Sequence, residues 1–500
     1  MDFLHQASYG FSIALQPANL FFCFLGCLAG TLIGVLPGIG PAATLSFLLP
    51  VTLAMSPVSA IILLSGIYYG ALYGGSTTSI LVNMPGEAAS AVTCLDGYQM
   101  ARSGRAGPAL GIAAFGSFIA GTVSTLGLTF LSPVLADVAI KFGAFEYVSL
   151  MFLGLTILAY LARGSMIKAL SMAVVGLIIG TVGTDLISGI PRFTFGIEEL
   201  YDGVGLIPVL MGLFGIAEVL INMEESLKKD VYTTRFKGLF PDRQDWKDAI
   251  KPIGRGTVVG FLLGTLPGGG AVISSFVSYA VEKRVSKHPE KFGTGTIEGV
   301  AGPESANNAA STSSFIPLLT LGIPANVVMA MLLGALIIHG VKPGPLLMQD
   351  NPDIFWGTIY SMYLGNVMLL VLNLPLIGLW VKILRVPYLL LFPLILIFCI
   401  VGSYGSENKF MDVNVMIFFG LIGYLIRKTE YEAAPLVMAM VLGPIFEKSL
   451  RQALMVSSGS FVPFFTRPIS GFLLGMGILL LITGALPRKL FLRKLPPNEV

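Results

Sequence analysis

Between His5 and Glu87 the chain carries not one Asp, Glu, Lys or Arg. A helix needs about 20 apolar residues to cross the hydrocarbon core of a bilayer. The uncharged stretch is several times that long, so it must fold as more than one apolar helix. Inside lipid each of these must satisfy its own backbone hydrogen bonds. The breakers within the stretch say where helices end. Asn19 to Val35 reads as one limb, Leu36-Pro-Gly-Ile-Gly-Pro41 as a tip, and Pro41 to Ala54 as the returning limb. Pro57 to Tyr73 is apolar again, followed by Gly74-Gly-Ser-Thr-Thr-Ser79 and then Asn83-Met-Pro-Gly86.

The tip sequence recurs once. Gly34-Val-Leu-Pro-Gly-Ile-Gly40 has its counterpart in Gly264-Thr-Leu-Pro-Gly-Gly-Gly270, inside a second uncharged run from Gly256 to Val281. Proline removes a backbone donor, and glycine tolerates conformations that no helix interior uses. Lys247, Lys251 and Arg255 precede the second run; Lys283, Arg284, Lys287 and Lys291 follow it. Positive charge collects on the cytoplasmic side of membranes. A segment basic at both ends therefore enters from the cytoplasm and returns to it, as a re-entrant helical hairpin with Pro-Gly-Gly-Gly at its tip.

The rest of the chain has the same character. Of its 500 residues 54% are hydrophobic and only 12% charged, against about 25% charged in soluble domains. The expected class is an all-α polytopic integral membrane protein, with the lipid bilayer as its surroundings. The net charge of +3 is spread over loops, so nucleic acid is not an expected partner. Cys23, Cys27, Cys94 and Cys399 show no metal-ligand spacing. The chain has no Gly-Lys dipeptide and hence no Walker A loop. The apolar spans hold almost no His, Asp or Cys in clusters suited to nucleophilic or metal chemistry, so neither an enzyme nor a cofactor is expected.

Further spans are expected near Ala106–Leu131, Phe145–Leu161, Ala169–Leu186 and Val204–Met223, then Phe355–Val381, Leu389–Val401, Val413–Ile426, Ala433–Phe446 and Ile469–Leu486. With two hairpins and about eleven full crossings, Arg102/Arg105, Arg163/Lys168, Lys382/Arg385, Arg427/Lys428 and Arg488/Lys489 all fall inside. The N-terminus falls outside and the C-terminus in the cytoplasm. Five crossings separate the hairpins in this count, so the halves have opposite orientation. The expected division is a first inverted repeat over 1–223 with its hairpin at 19–54, a cytoplasmic linker over 224–255, and a second repeat over 256–500 with its hairpin at 256–281. Ser76-Thr-Thr-Ser79 aligns with Ser311-Thr-Ser-Ser314, and Pro85-Gly86 with Pro324-Ala325.

A helix broken at mid-membrane frees peptide groups, which are tolerated only where protein, water or a ligand meets them. A helix starting after each tip turns its partially positive end inward, which suits a carboxylate. Free carbonyls suit Na⁺. The candidate binding residues are Pro37, Gly38, Gly40, Pro267, Gly268, Gly269 and Gly270 at the tips. Around them come Ser76, Thr77, Thr78, Ser79, Asn83, Asn307, Asn308, Ser311, Thr312 and Ser313. Glu304 and Glu87 are candidates for ion coupling, although a carboxylate at either place also fits a water-facing surface. Each hydroxyl alone equally fits a bond to a preceding carbonyl. A channel would need a continuous polar pore, and flux independent of an ion gradient would mark one.

At these motifs the chain resembles the large membrane subunit of the tripartite tricarboxylate transporter (TctA) family, over essentially its whole length. The residues that carry the resemblance are the two tip motifs, Tyr73-Gly-Gly-Ser-Thr-Thr-Ser-Ile-Leu-Val-Asn-Met-Pro-Gly86, Leu95-Asp-Gly-Tyr98, Gly299-Val-Ala-Gly-Pro-Glu-Ser-Ala-Asn-Asn308, Ser314-Phe-Ile-Pro317 and Leu319-Thr-Leu-Gly-Ile-Pro324. Gly302 stands where the family more often has Ala. The resemblance implies a bacterial inner-membrane secondary transporter for tricarboxylates or related carboxylates, coupled to Na⁺ or H⁺. It also implies two partners, a small four-helix membrane subunit and a periplasmic solute-binding protein. A stand-alone carboxylate symporter is the alternative.

Overall fold

The structure, a computed structural model, describes residues 3–36, 40–162, 165–185, 187–224, 238–268, 270–383 and 388–485. Pro37, Gly38 and Gly269 of the tips lie outside the described residues, as do Arg163, Leu186, Arg385, Arg488, Lys489 and positions 225–237 of the expected linker.

The chain opens with α1 (Phe3–Ala14), α2 (Pro17–Val35), α3 (Gly40–Leu48), α4 (Pro57–Val82), α5 (Thr93–Arg102) and α6 (Ala106–Ala139). Next come α7 (Ala144–Leu161), α8 (Met166–Gly180), α9 (Leu206–Leu210) and α10 (Ala217–Glu224). Two short strands between α8 and α9, β1 (Gly183–Thr184) and β2 (Pro191–Arg192), pair antiparallel. Beyond the polar stretch lie α11 (Arg243–Gly264), α12 (Gly270–Val285), α13 (Glu298–Ser313), α14 (Phe315–Leu321) and α15 (Val327–Ile338). The last group is α16 (Leu347–Asp350), α17 (Pro352–Asn373), α18 (Ile377–Ile383), α19 (Tyr388–Glu407), α20 (Phe410–Lys428), α21 (Ala433–Val456), α22 (Val462–Thr466) and α23 (Pro468–Ala485). Among the described residues, eight helical stretches are long and apolar enough to cross a membrane. The protein is a multi-pass α-helical membrane protein.

Both tip motifs join two helices: α2 to α3 and α11 to α12. The second pair is longer than charge alone suggested. Asp242 caps α11 by accepting the Gln244 and Asp245 N–H groups, so helix begins at Arg243, inside the stretch read as a linker. At the base of this pair Arg255 Nε donates to Glu282 Oε1 at 2.9 Å, and Nη2 meets the other carboxylate oxygen. Helix α4 runs unbroken through Gly74–Ser79, where the sequence suggested an interruption after Tyr73. Gly74 is there for contact: a methyl added to it would lie 2.3 Å from the Thr31 carbonyl oxygen of α2. Arg192 of β2 pairs with Glu447 of α21 at 2.7 Å. Cys23 and Cys27 are buried against α17, in small-residue roles.

Two ladders of glycine set the packing. A methyl at Gly26, Gly30 or Gly34 of α2 would stand 2.4, 2.4 and 2.2 Å from the carbonyl oxygens of Leu63, Ile67 and Ala71 of α4. At Gly256, Gly260 and Gly264 of α11 the distances are 2.2, 2.2 and 2.4 Å, to the oxygens of Gly302, Ala306 and Ala310 of α13. Steps of four keep all three rungs on one helix face. In lipid, where apolar side chains gain little by meeting each other, such backbone-to-backbone approach is a main source of helix association. Gly260→Ala is expected to cost about 1–3 kcal/mol through overpacking. Gly254→Ala, on the same helix with open space around it, is expected to be neutral or stabilising by up to ~1 kcal/mol. Thermal unfolding of the purified variants checks this, and equal Tm values would contradict the close approach.

Candidate functional site

Each tip delivers a helix N-terminus to the interior. Gly40, at φ +62°, opens α3, and Gly270, at φ +45°, opens α12. Gly268 has φ +80°, and a methyl there would lie 2.9 Å from Leu158 Cα. These are conformations that favour glycine over any side chain. A third N-terminus is that of α15, where Asn326 Oδ1 accepts the Met329 N–H at 3.0 Å. All three ends border one cavity of about 490 Å³, through Gly40, Pro41, Gly268, Gly270, Asn326 and Val327. First-turn N–H groups lack intrahelical partners, and the helix dipole adds partial positive charge. Three such ends facing one space make a setting for an anion that needs no buried fixed cation.

The loops that hold the tips are built alike. Asn83, at φ +59°, closes α4, and Gly322, at φ +70°, closes α14. Each is followed by a proline, a small residue and a capping residue: Pro85, Gly86 and Glu87 in one, Pro324, Ala325 and Asn326 in the other. Gly86 packs on the end of α2, where a methyl would come within 2.0 Å of the Gly34 oxygen. The Gly268 N–H donates to the Ala325 oxygen at 2.7 Å. Glu87 Oε2 accepts the Ala89 N–H at 2.6 Å, and Asn326 Nδ2 donates to Tyr68 Oη at 3.2 Å. Glu87, Asn326 and Tyr68 all border the cavity. The rest of the lining comes from elsewhere in the chain: Leu158 and Leu161 of α7, Phe214 and Glu218 of the 206–224 span, Arg427 of α20, and Glu432 before α21.

Of the residues expected at the site, Gly40, Gly268, Gly270 and Glu87 are brought together here. Pro267 sits behind the tip, 3.7 Å from where a Gly154 methyl would be. The hydroxyl and amide cluster does not border this cavity. Ser76 and Thr77 edge a separate pocket of about 10 Å³, too small for a substrate. Glu304 does not face water: it is fully buried. Its carboxylate accepts from Ser76 Oγ at 2.5 Å, from Asn307 Nδ2 at 3.2 Å and from Thr93 Oγ1. Asn308 Nδ2 donates to Ser117 Oγ at 2.7 Å and to the Glu304 carbonyl at 3.1 Å. Thr78 Oγ1 donates to the Val35 oxygen at 2.8 Å. Ser311 and Thr312 hydroxyls return to the Asn308 oxygen at 2.8 and 3.1 Å, and Ser313 to that of Ala310 at 3.3 Å. Ser79 is buried within α4, and Asn83 is exposed at its end. This network fastens α4, α5, α6 and α13 to one another. The Leu95-Asp-Gly-Tyr98 motif is structural in the same way. Asp96 Oδ1 accepts N–H groups of Gly293, Gly295 and Thr296 at 2.8–2.9 Å.

Asn326, Tyr68, Glu218 and Arg427 were not singled out from the sequence. Asn326 carried a signal, an N-cap residue directly before the apolar run Val327–Ile338. Nothing local marks the other three, because they meet the tips only through the fold.

The fold defines a multi-pass helical membrane protein in which two broken helix pairs border one cavity. The sequence model of the tripartite tricarboxylate transporter TctA family matches residues 20–438, and the chain belongs to that family. It is 53% identical over 487 residues, covering 97% of each chain, to an Agrobacterium vitis protein described as an uncharacterized 52.8 kDa protein in the TAR-I ttuC' 3' region. It is 54% identical over 228 residues to a second protein of that organism, described as uncharacterized and in the TAR-II ttuC' 3' region; the match covers 46% of this chain and 94% of that one. No solved structure matches the chain.

Removing the Glu304 carboxylate leaves the Thr93 hydroxyl and the Asn307 amide without that acceptor, at about 1–3 kcal/mol for each unsatisfied group, while Ser76 keeps the Leu72 carbonyl oxygen at 3.1 Å. Glu304→Ala is therefore expected to lower Tm clearly. An unchanged Tm would show that the network does not hold these helices.

Proposed function

We propose that the chain is the permease subunit of a tripartite, binding-protein-dependent secondary transporter of the bacterial inner membrane. It imports tricarboxylates or related carboxylates together with Na⁺ or H⁺. A periplasmic solute-binding protein hands over the substrate, and a small four-helix membrane subunit completes the permease. The observation that carries this reading is the cavity bordered by Gly40 of the first tip motif, by Gly268 and Gly270 of the second, and by three helix N-termini. An anion seat at helix N-termini contributed by two broken helix pairs is what an alternating-access carrier needs. Family membership supports the transport role.

In this reading the halves 1–223 and 256–500 are inverted repeats. The two glycine ladders and the two Pro-containing loops support that pairing. The N-terminus lies outside, and the ends of α10 and α20, with Arg427 and Lys428, lie on the cytoplasmic side. The carboxylate seat is then formed by Gly40, Gly268, Gly270 and Asn326. Glu87, the titratable group beside the tips, is the candidate for coupling. A carboxylate next to an arriving anion repels it unless a proton or Na⁺ intervenes. The Glu304 network serves to tie the halves together.

Proteoliposomes holding the permease, its small subunit and its binding protein are expected to accumulate labelled citrate against its gradient when a Na⁺ or pH gradient is imposed. Glu87→Gln is expected to abolish accumulation while retaining citrate exchange across the membrane. Citrate flux that runs only downhill and ignores both gradients would favour a channel.

A further inference from the structure

The cavity has a second pole that the hairpins do not supply. Among the described residues its lining includes three carboxylates, Glu87, Glu218 and Glu432, and one cationic side chain, Arg427. Arg427 stands in the last turn of α20 and borders the same cavity as Gly40, Gly268 and Gly270. Its Nη2 pairs with Glu218 Oε2 at 2.5 Å, and Asn222 Nδ2 donates to the other Glu218 oxygen at 3.1 Å. The Arg427 side chain is 42% exposed and that of Glu218 14%. Both residues border the cavity, and the guanidinium is the more exposed member of the pair.

A ligand with one carboxylate has its seat at the helix N-termini. A ligand with two or three carboxylates has charge left over, and the guanidinium is the cation in the wall able to receive it. Arginine meets a carboxylate through a planar fork of parallel N–H groups, a geometry that lysine does not reproduce. We propose that Arg427 is the specificity determinant for the second carboxylate of the substrate, and that Glu218 occupies it until that carboxylate displaces it. This rests on the carboxylate-transport reading above. The exchange swaps one guanidinium–carboxylate pair for another, so the cation is never left bare in the cavity. Glu218 keeps its Asn222 hydrogen bond when it lets go. A monocarboxylate offers nothing to replace Glu218 and leaves the pair closed, so the pair discriminates by ligand valence.

The test is equilibrium binding of citrate, succinate and butyrate to purified wild-type protein and to Arg427→Gln, Arg427→Lys, Glu218→Gln and the Glu218→Gln/Arg427→Gln double variant. The double variant leaves no unpaired charge, so it remains informative if a single variant misfolds; thermal unfolding verifies each. Wild type is expected to bind citrate and succinate more tightly than butyrate. Arg427→Gln and the double variant should weaken citrate and succinate about tenfold or more, the loss of one charge-assisted contact, and leave butyrate unchanged. Arg427→Lys should fall between, and Glu218→Gln should tighten citrate because its competitor is gone. A citrate-to-butyrate ratio unchanged in Arg427→Gln overturns the inference alone, as does an equal loss for all three ligands. So does a Glu218→Gln protein that weakens citrate as much as Arg427→Gln does. Wild type that binds none of the three defeats the carboxylate reading and this inference with it.

Discussion

A helix that stops inside a bilayer leaves peptide groups that lipid cannot satisfy. In the proposed function that constraint organises this protein. Two helix pairs are joined through the tip motifs, and Gly40 of one motif and Gly268 and Gly270 of the other border one cavity. Under the proposed function the peptide groups at these helix starts hold the anion, because they carry partial positive charge where a full buried charge would be costly. The glycine ladders serve the same end. By drawing α2 onto α4 and α11 onto α13 at backbone contact distance, they fix how far each limb runs before its tip.

Much of this was legible in the sequence, for identifiable reasons. Proline and glycine act locally, so Gly34–Gly40 and Gly264–Gly270 located both interruptions correctly. Charge acts through solvation, so the uncharged runs located the spans. What failed was the reading of small polar residues. Ser76–Ser79 and Ser311–Ser314 look alike and were aligned. The ladders pair Ala71 with Ala310 instead, which sets Ser76 against Phe315, one helical turn away from that alignment. Hydroxyls in an apolar helix return readily to carbonyls three or four residues back, and Ser311, Thr312 and Ser313 do so. Gly74 and Gly75 look like breakers in the sequence, but in α4 they are contact surfaces. Arg427 and Glu218 stay silent because nothing near them in the chain marks a site.

The acidic residues divide by their surroundings. Glu304 lies deep between helices and is met by two hydroxyls and an amide, groups that bind a carboxylate firmly and leave it little reason to move. Glu87 and Glu218 stand at a cavity wall, where a ligand can change what they meet. The same residue type thus stands in two settings, one closed between helices and one at a cavity.

The central claim is that both tips border one carboxylate-binding space. Ala42 follows the first tip and Val272 the second, and both line the cavity. With Cys23, Cys27, Cys94 and Cys399 replaced, Ala42→Cys and Val272→Cys can each be titrated with a thiol reagent in the presence of citrate and the coupling cation. The account predicts that citrate protects both positions with the same concentration dependence. Protection of one position only, or of neither while uptake persists, would contradict it.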